Sequence, residues 1–523
     1  MSDIHPGILF TGSCIGLLAT AVGFAVTGDI MGALKAQFLL SNSQAGWIMG
    51  AWLQGFVISI LVFGPLVDAL GMRLQLRMAC FGHLLGALVF MSATFFRETP
   101  ATAFWVLMLG TLILAMANGL IEAVCNPLVT TIYPERKTEK LNQFHVWFPG
   151  GIFIGGLACY FMNVLADKTG VAWISAWQLK MCLIIVPTIV YGVLFTGQRF
   201  PFTERVQSGL SFGEMVSSTL LRPLFIILAL CMCITASLEL GPGRWIPSVY
   251  GAVGISGILM LAWQNGLMAV MRYFAGHAIE RLRPSGMLVV SAIIGGIGLY
   301  LLSFASTKGM AFAAVTVFAI GVCYFWPTML GFTSERVPKG GALALALMGG
   351  FGNLAVGFLT TPAMGNIADR YIEANLPVQQ AQATLQRVVD VYPAPPAEKK
   401  PTQYSDTEKA HADAAAALAG LTSGQPEGKA VLAAAAALRS AADAVPVGFN
   451  EEQMAQIKSV EDEARSIVGP ADNQGGRRSF RYLAPFALIL VAVFGTIYLR
   501  DRARGGYRVE RIGDAAEPPV TPK

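Results

Sequence analysis

Between Thr102 and Tyr133 the chain is apolar throughout but for a few small polar residues and one charge, Glu122. A run of that length crosses a hydrocarbon core of roughly 30 Å as a helix, for which about 20 residues suffice. Eleven further segments have the same character. Together they place spans near residues 8–34, 45–69, 75–96, 102–133, 144–166, 172–196, 223–249, 257–279, 285–306, 309–333, 340–366 and 481–499. Lipid offers no hydrogen bonds, so backbone groups must be satisfied internally, which leaves helices or closed barrels. These runs are too long, and alternate too weakly, for barrel strands. The expectation is an all-α integral membrane protein with twelve transmembrane helices. The charged fraction of 13%, against roughly 25% in soluble proteins, agrees with it.

Lys and Arg in the short loops set the orientation. One side carries Arg73, Arg77, Arg136, Lys137, Lys140, Arg199, Arg205, Arg222, Arg281, Arg283, Arg336 and Lys339, and the segment after the last span adds Arg500, Arg502, Arg504, Arg508 and Arg511. The other side has Lys35, Arg97, Lys168 and Lys308 in its short loops. Both termini are therefore expected in the cytoplasm of a bacterial inner membrane, which requires an even number of spans. The segment after Asp3 lacks a basic leader and a small-residue cleavage site, and is expected to be the first span rather than a signal peptide. The net charge of +5 follows from the loop bias and gives no sign of nucleic acid. The eight cysteines lie in or beside apolar runs, so a disulfide framework is not expected. No phosphate-binding loop, nucleophile elbow or metal constellation is found. The expected partners are the lipid bilayer and a small solute, with no cofactor, no metal and no enzymatic activity, in a monomer.

The spans divide six and six. Residues 1–198 form the first half, 199–222 a cytoplasmic linker with a short amphipathic stretch at Phe212 to Leu221, and 223–370 the first five helices of the second half. Residues 371–479 form a polar, Ala-rich insert with Pro-Ala-Pro-Pro at 393–396 and Gly/Pro punctuation near 424–426 and 445–448. It follows an odd-numbered span and is expected outside the cytoplasm, as a loose helical hairpin or small bundle that is partly disordered. Its candidate helices are 373–391, 405–421, 427–443 and 450–468, and its Ala runs have high helix propensity with little to bury. The twelfth span, 480–500, and a cytoplasmic tail, 501–523, complete the chain. A weak repeat supports the two halves. Gly64 and Asp68, with Gly71 and Arg73 following, occur after the second span, and Gly276 and Glu280, with Arg281 and Arg283 following, after the eighth; Gly365, Asp369 and Arg370 end the eleventh. Gly permits close helix approach, and an acid four residues on lies on the same face, free to pair with an arginine or cap a helix N-terminus. Such clusters can hold one conformation of a rocking bundle, so Gly64, Asp68, Gly71, Arg73 and Glu280 are gate candidates.

The stretch Gly64-Pro-Leu-Val-Asp68-Ala-Leu-Gly71-Met-Arg73 resembles the loop signature of the major facilitator superfamily. Gly28-Asp29 with Gln37 and Ser43-Gln44-Ala45-Gly46, Glu122-Ala-Val-Cys-Asn126-Pro127, Lys140-Leu141-Asn142, Glu239-Leu-Gly241-Pro-Gly-Arg-Trp245 and Trp326-Pro327-Thr328 resemble the fucose permease-like sugar:proton symporters within it. The resemblance covers the chain apart from the insert and the tail. It implies two pseudo-symmetric six-helix halves around a central cavity, alternating access, and proton symport. It also implies that Asp29 and Glu122 are the substrate and proton carboxylates. The chain departs from that pattern at the start of the fifth span, where His145 and Phe148 replace a polar pair.

An acid inside the membrane is costly, about 2.5–3.5 kcal/mol on insertion scales, and such residues face a bundle interior or a solute path. Glu122 is read as the proton carrier, with Asn126 at i+4 on its face and Pro127 loosening the helix; the alternative is a structural acid paired in the bundle. Asp29 is read as a substrate or coupling group, or as a cap at a helix break after Thr27-Gly28. His145 is a cavity ligand or a core histidine. Gln264 and Asn265 suit hydroxyl binding or interhelical packing, and with Asn126 and His145 they are expected to line the substrate site. Trp326, beside Pro327 in mid-span, is the best stacking platform; Trp245, Trp263 and Tyr324 are others, with interface anchoring as the commoner use. Glu239 and Arg272 are further intramembrane charges whose structural alternative is to pair with each other. Arg244 could snorkel to the interface. The function expected is secondary active transport, as proton-coupled import of a monosaccharide or related polyhydroxylated solute, with sodium as the alternative coupling ion. A proton-coupled exporter of a hydrophobic or cationic compound, and a non-transporting nutrient sensor, are the alternatives.

Overall fold

The structure, a computed structural model, describes residues 4–512 except 39, 41, 252, 253, 255, 256, 423–427, 445 and 447. The Gly/Pro punctuation at 424–426, part of that at 445–448 and the end of the basic tail from residue 513 lie outside the described residues. Every regular element among the described residues is helical. Among the described residues, ten helical segments are long and apolar enough to cross a membrane. The two further spans expected from sequence are also helical, Asn42–Phe63 with 22 residues and Gly257–Tyr273 with 17. In α2 (Asn42–Phe63) the apolar part is Trp47–Phe63. The helix Gly257–Tyr273 stops at Phe274, where a second helix, Ala275–Leu302, begins. That second helix is itself kinked at Arg283 (φ 58°), just before Pro284, whose ring disfavours a helical residue ahead of it.

In the first half, α1 is Pro6–Phe38, α3 Met72–Ser92 and α4 Pro100–Ile132. The fifth expected span, 144–166, is α6 (Trp147–Thr169), preceded by a separate short helix α5 (Lys137–Phe144), and α7 is Trp177–Phe195. The linker carries α8 (Phe212–Leu220), whose N-terminus is closed by a capping box between Ser211 and Glu214. In the second half, α9 is Pro223–Gly251, α10 Gly257–Tyr273 and α11 Ala275–Leu302. The tenth expected span is split into α12 (Lys308–Val322) and α13 (Phe325–Arg336). The eleventh runs from α14 (Gly341–Leu354) through a π-helical turn, Ala355–Thr360, into α15 (Thr361–Asn375). Backbones touch where α11 meets α12: a Cβ on Gly321 would lie 2.1 Å from the amide nitrogen of Gly295, so no side chain fits there.

Three helices then leave the bundle: α16 (Val378–Val391), α17 (Asp406–Thr422) and α18 (Gly428–Ala442). With the start of α19 (Glu451–Leu483) they form a lobe with its own apolar core, in which Leu385, Val388, Ala414, Leu438 and Val460 are fully buried. Ion pairs Arg387–Glu463 and Arg439–Asp472 join its helices. The helix α19 runs unbroken through Pro470 to Leu483, and only at Ala484–Pro485 does it give way to α20 (Phe486–Ala503). On the way it docks on the bundle: Asn473 Nδ2 donates to Val249 O at 2.8 Å, and Arg477 to Ala305 O at 2.9 Å. The lobe is thus carried on a helix that is itself part of the bundle wall.

Candidate functional site

Two prolines explain the centre of the molecule. Pro149 in α6 and Pro327 in α13 have no N–H, so the carbonyls four residues earlier, those of His145 and Cys323, lose their helical donors. Pro149 follows the break between α5 and α6, and Pro327 the break that splits the tenth expected span. Arg272, near the end of α10, supplies the missing donors: Nη1 donates to His145 O at 3.1 Å and Nε to Cys323 O at 2.5 Å. Its Nη2 donates to Glu239 Oε1 on α9 at 2.8 Å. One guanidinium thus satisfies orphan backbone groups in both halves and is neutralised by Glu239. The structural alternative for Glu239 and Arg272, a mutual ion pair, is what the geometry contains.

Around this pair lies a cavity of about 170 Å³ between the halves, room for on the order of ten waters. The first half contributes Thr20, Phe24, Trp52, Asn118, Glu122, His145 and Phe148, and the second Glu239, Arg244, Gln264, Asn265, Arg272, Trp326 and Asn353. Glu122 is 5% exposed and has no ion pair with any described residue. Its Oε2 accepts from Asn126 Nδ2 at 3.4 Å, and its backbone carbonyl accepts from the same nitrogen at 3.0 Å. Asn126, expected to line the substrate site, instead lies behind the wall and turns its Oδ1 to His145 Nε2 at 3.0 Å. With the amide so placed, the imidazole carries its proton on Nε2. A polar chain therefore runs Glu122–Asn126–His145 and, through the His145 carbonyl, to Arg272 and Glu239. Four buried atoms of wall residues have no hydrogen-bond partner among the described residues: Trp52 Nε1, Asn118 Nδ2, Glu239 Oε2 and Gln264 Oε1.

The other sequence candidates fall in different places. Asn265 lines the cavity, with its Nδ2 donating back to Leu261 O at 2.8 Å. Asp29 does not line it: Lys180 Nζ lies 2.5 Å from Asp29 Oδ2 and 2.8 Å from Asn163 Oδ1, joining α1, α6 and α7. Trp263 is half-exposed and donates to Thr316, and Tyr324 donates to Met271 O; neither ring lines the cavity, and Trp245 does not either.

The cavity is closed at the arginine-rich end. Glu335, buried at the end of α13, accepts from Thr138 N at 3.0 Å and Thr138 Oγ1 at 2.7 Å in the first turn of α5, across the two halves, and from Tyr507 of the tail at 2.5 Å. A Cβ on Gly331 would lie 2.5 Å from Thr138 Cα, so the helices meet backbone to backbone. Arg336 pairs with Asp501 and lies over the Tyr507 ring, and Arg511 pairs with Glu135. Of the gate candidates, Gly64 packs against Ala346 of the other half, and Gly71 adopts φ 80° before α3. Asp68 accepts from Thr203 at 2.6 Å and Arg205 at 2.7 Å in the linker, not from Arg73, which donates to Gln198 O. Glu280 is exposed, within electrostatic reach of Arg136. Sequence reasoning missed Lys180, Asn118, Asn353 and the Glu335–Thr138–Tyr507 cluster. A lone lysine within the apolar run 172–196 was a readable signal; the others needed the packing.

The sequence profile of the Major Facilitator Superfamily matches residues 8–365. The chain belongs to that superfamily. It is a membrane transporter by family and by fold, and the superfamily resemblance read from Gly64 to Arg73 holds. It is 27% identical over 198 residues to the D-xylose transporter of Levilactobacillus brevis, covering 37% of this chain and 40% of that one. It is 25% identical over 173 residues to the L-fucose-proton symporter of Escherichia coli, covering 31% and 38%, so these matches span about two fifths of either relative. The putative niacin/nicotinamide transporter NiaP of Bacillus subtilis is 22% identical, over 66% of this chain and 86% of that one. Among solved structures, FucP in its outward conformation superposes with a TM-score of 0.55 at 19% identity, covering 69% of this chain and 92% of that one. XylE bound to 6-bromo-6-deoxy-D-glucose gives 0.56 at 16%, covering 69% and 89%. At such identities these likenesses carry the fold, not the cargo.

Proposed function

We propose that this transporter imports a monosaccharide or related polyhydroxylated solute together with a proton, by alternating access of two six-helix halves in a bacterial inner membrane. Both ends of the chain would be cytoplasmic, the helical lobe outside, and Asn42–Phe63 and Gly257–Tyr273 would complete a set of twelve spans. The observation that carries this reading is Glu122, a buried carboxyl without a cation on the wall of a cavity shared by both halves. A protonated carboxyl can donate as well as accept a hydrogen bond, whereas the ionised form only accepts. Taking up a proton from the open side prepares Glu122 to donate to a solute hydroxyl, while Asn118, Gln264 and Asn265 offer further donors and acceptors and Trp326 a ring face. Opening of the arginine-rich end by separation of Glu335 from Thr138 exposes the same site to the cytoplasm, where loss of the proton releases the solute. The Asp29–Lys180 pair stands outside this site and acts, in this reading, by tying α1 to α7.

The test is uptake into proteoliposomes under an imposed pH gradient, with a panel of labelled monosaccharides that includes D-xylose and L-fucose. Accumulation above equilibrium that a protonophore abolishes is expected. Uptake that only equilibrates, whatever the gradient, would contradict proton coupling.

A further inference from the structure

We propose that the transported solute carries a carboxylate, and that Arg244 with Gln264 forms its subsite: the cargo is a sugar acid or similar hydroxylated monocarboxylate. The proposal rests on the transport reading above and narrows its substrate.

Four ionisable side chains other than His145 line the cavity: Glu122, Glu239, Arg244 and Arg272. Arg272 is fully engaged, by Glu239 and by two carbonyls. Arg244 is not. It has no ion pair or hydrogen bond with any described residue, and its side chain is open to the cavity. A guanidinium keeps its charge at every working pH and presents its N–H groups as a planar fork that matches a carboxylate in bidentate fashion. Snorkelling would carry it away to bulk water, yet it lines the same space as Glu239 and Gln264. Arg244 is exposed, and a cation without a counter-ion at the cavity wall attracts an anion and repels a cation, with solvent weakening the effect. That sets the sign of the cargo.

Gln264 supplies the second observation. It is 4% exposed, and its Oε1 has no hydrogen-bond partner among the described residues. Its Nε2 lies 3.2 Å from where a Cβ on Gly243, the neighbour of Arg244, would sit. Gln264 therefore lies beside the turn of helix that carries Arg244, and Asn118, a wall residue from the other half, has an unpartnered Nδ2. A charged fork, an orphan acceptor and an orphan donor together match a solute with one carboxylate and several hydroxyls.

The charge balance also explains coupling. With Glu122 ionised, an entering carboxylate is a second negative charge in one cavity. With Glu122 protonated, Arg244 is the one uncompensated charge there among the described residues, and the cargo neutralises it. Proton and anion then favour each other's binding by the same factor. One proton and one carboxylate carry no net charge, so transport follows the pH gradient and ignores the membrane potential. A proton with a neutral sugar moves one positive charge and feels both.

The experiment is proteoliposome uptake of labelled D-glucuronate, D-gluconate, D-glucose and D-xylose, with the pH gradient and the potassium diffusion potential set independently. The acids are expected to accumulate with the pH gradient, unaffected by potential and uncompeted by the neutral sugars. Arg244→Gln should weaken acid binding to the purified protein about 10- to 100-fold, and Arg244→Lys should restore part of it. Accumulation of the neutral sugars alone, or acid uptake unchanged in Arg244→Gln, would overturn the carboxylate site and leave the transport reading standing. No uptake of either class by the folded wild type would overturn both.

Discussion

Replacing Glu335 by alanine should open the arginine-rich end. In the structure its carboxylate accepts two hydrogen bonds from Thr138, across the interface between the halves. Thr138 lies in the first turn of α5, where unpaired amides and the helix dipole favour an anion. Hydrogen bonds to a charged group contribute about 1.5–3 kcal/mol each. Taking the low end for the two that must break when the halves rock gives about 3 kcal/mol, or roughly 150-fold in the closed-to-open ratio. An open fraction of about 1% in the wild type would become roughly 60%. The Tyr507 bond to the same carboxylate comes from the chain just after α20, not from the first half, and is left out of the sum. Glu335→Gln keeps the shape but loses the charge, so a smaller shift is expected. The assay is pulsed electron–electron distance measurement between spin labels at Arg77 and Arg281, exposed residues on opposite halves, after replacing the eight native cysteines. The expected result is a longer-distance population that grows from wild type through Glu335→Gln to Glu335→Ala. An unchanged distance distribution in a folded Glu335→Ala protein would refute the role given to this contact.

Arg272→Met should destabilise the protein by about 3–5 kcal/mol, because it leaves Glu239 buried without its cation and two carbonyls without donors. Adding Glu239→Gln should recover part of that loss in thermal unfolding of the detergent-solubilised protein, and simple additivity of the two changes would contradict the pairing. Leu438→Ala should weaken the lobe by about 2–5 kcal/mol, since this side chain is fully buried in its core. Hydrogen exchange should then rise across 378–470 while uptake persists, because no cavity residue lies in the lobe; uptake lost with the spans still folded would assign the lobe a part in transport.

How far the sequence led can be argued residue by residue. The helical membrane class was legible because lipid makes long apolar runs unambiguous, and Glu122 stood out because a charge in such a run is costly. Hydropathy does not register where helices break, so the stop at Phe274 inside the expected span 257–279 and the break at Cys323–Tyr324 inside 309–333 were not seen. The prolines at 149 and 327 marked orphan carbonyls in advance, but that one arginine serves both depends on how α10 crosses α6 and α13. Asp68 was expected beside an arginine; its partner proved to be Arg205 of the linker rather than Arg73 of its own motif. The Ala runs of the insert were read as having little to bury. In the structure Val431, Ala434, Ala435, Leu438, Ala441 and Ala442 form one face of α18, and their small side chains let the lobe's helices close on each other. That spacing was present in the sequence and is the helical period itself.

The most direct test of Glu122 as the proton carrier separates exchange from accumulation. Proteoliposomes of wild type and Glu122→Gln would be assayed with the solute selected by the uptake panels, once for counterflow without a gradient and once for accumulation under an imposed pH gradient. Glutamine keeps the shape and the hydrogen-bonding capacity of a protonated carboxyl but cannot exchange the proton. The expected result is counterflow retained within a few-fold of wild type, insensitive to pH, with gradient-driven accumulation abolished. Accumulation that still follows the pH gradient in Glu122→Gln would contradict the account at its centre.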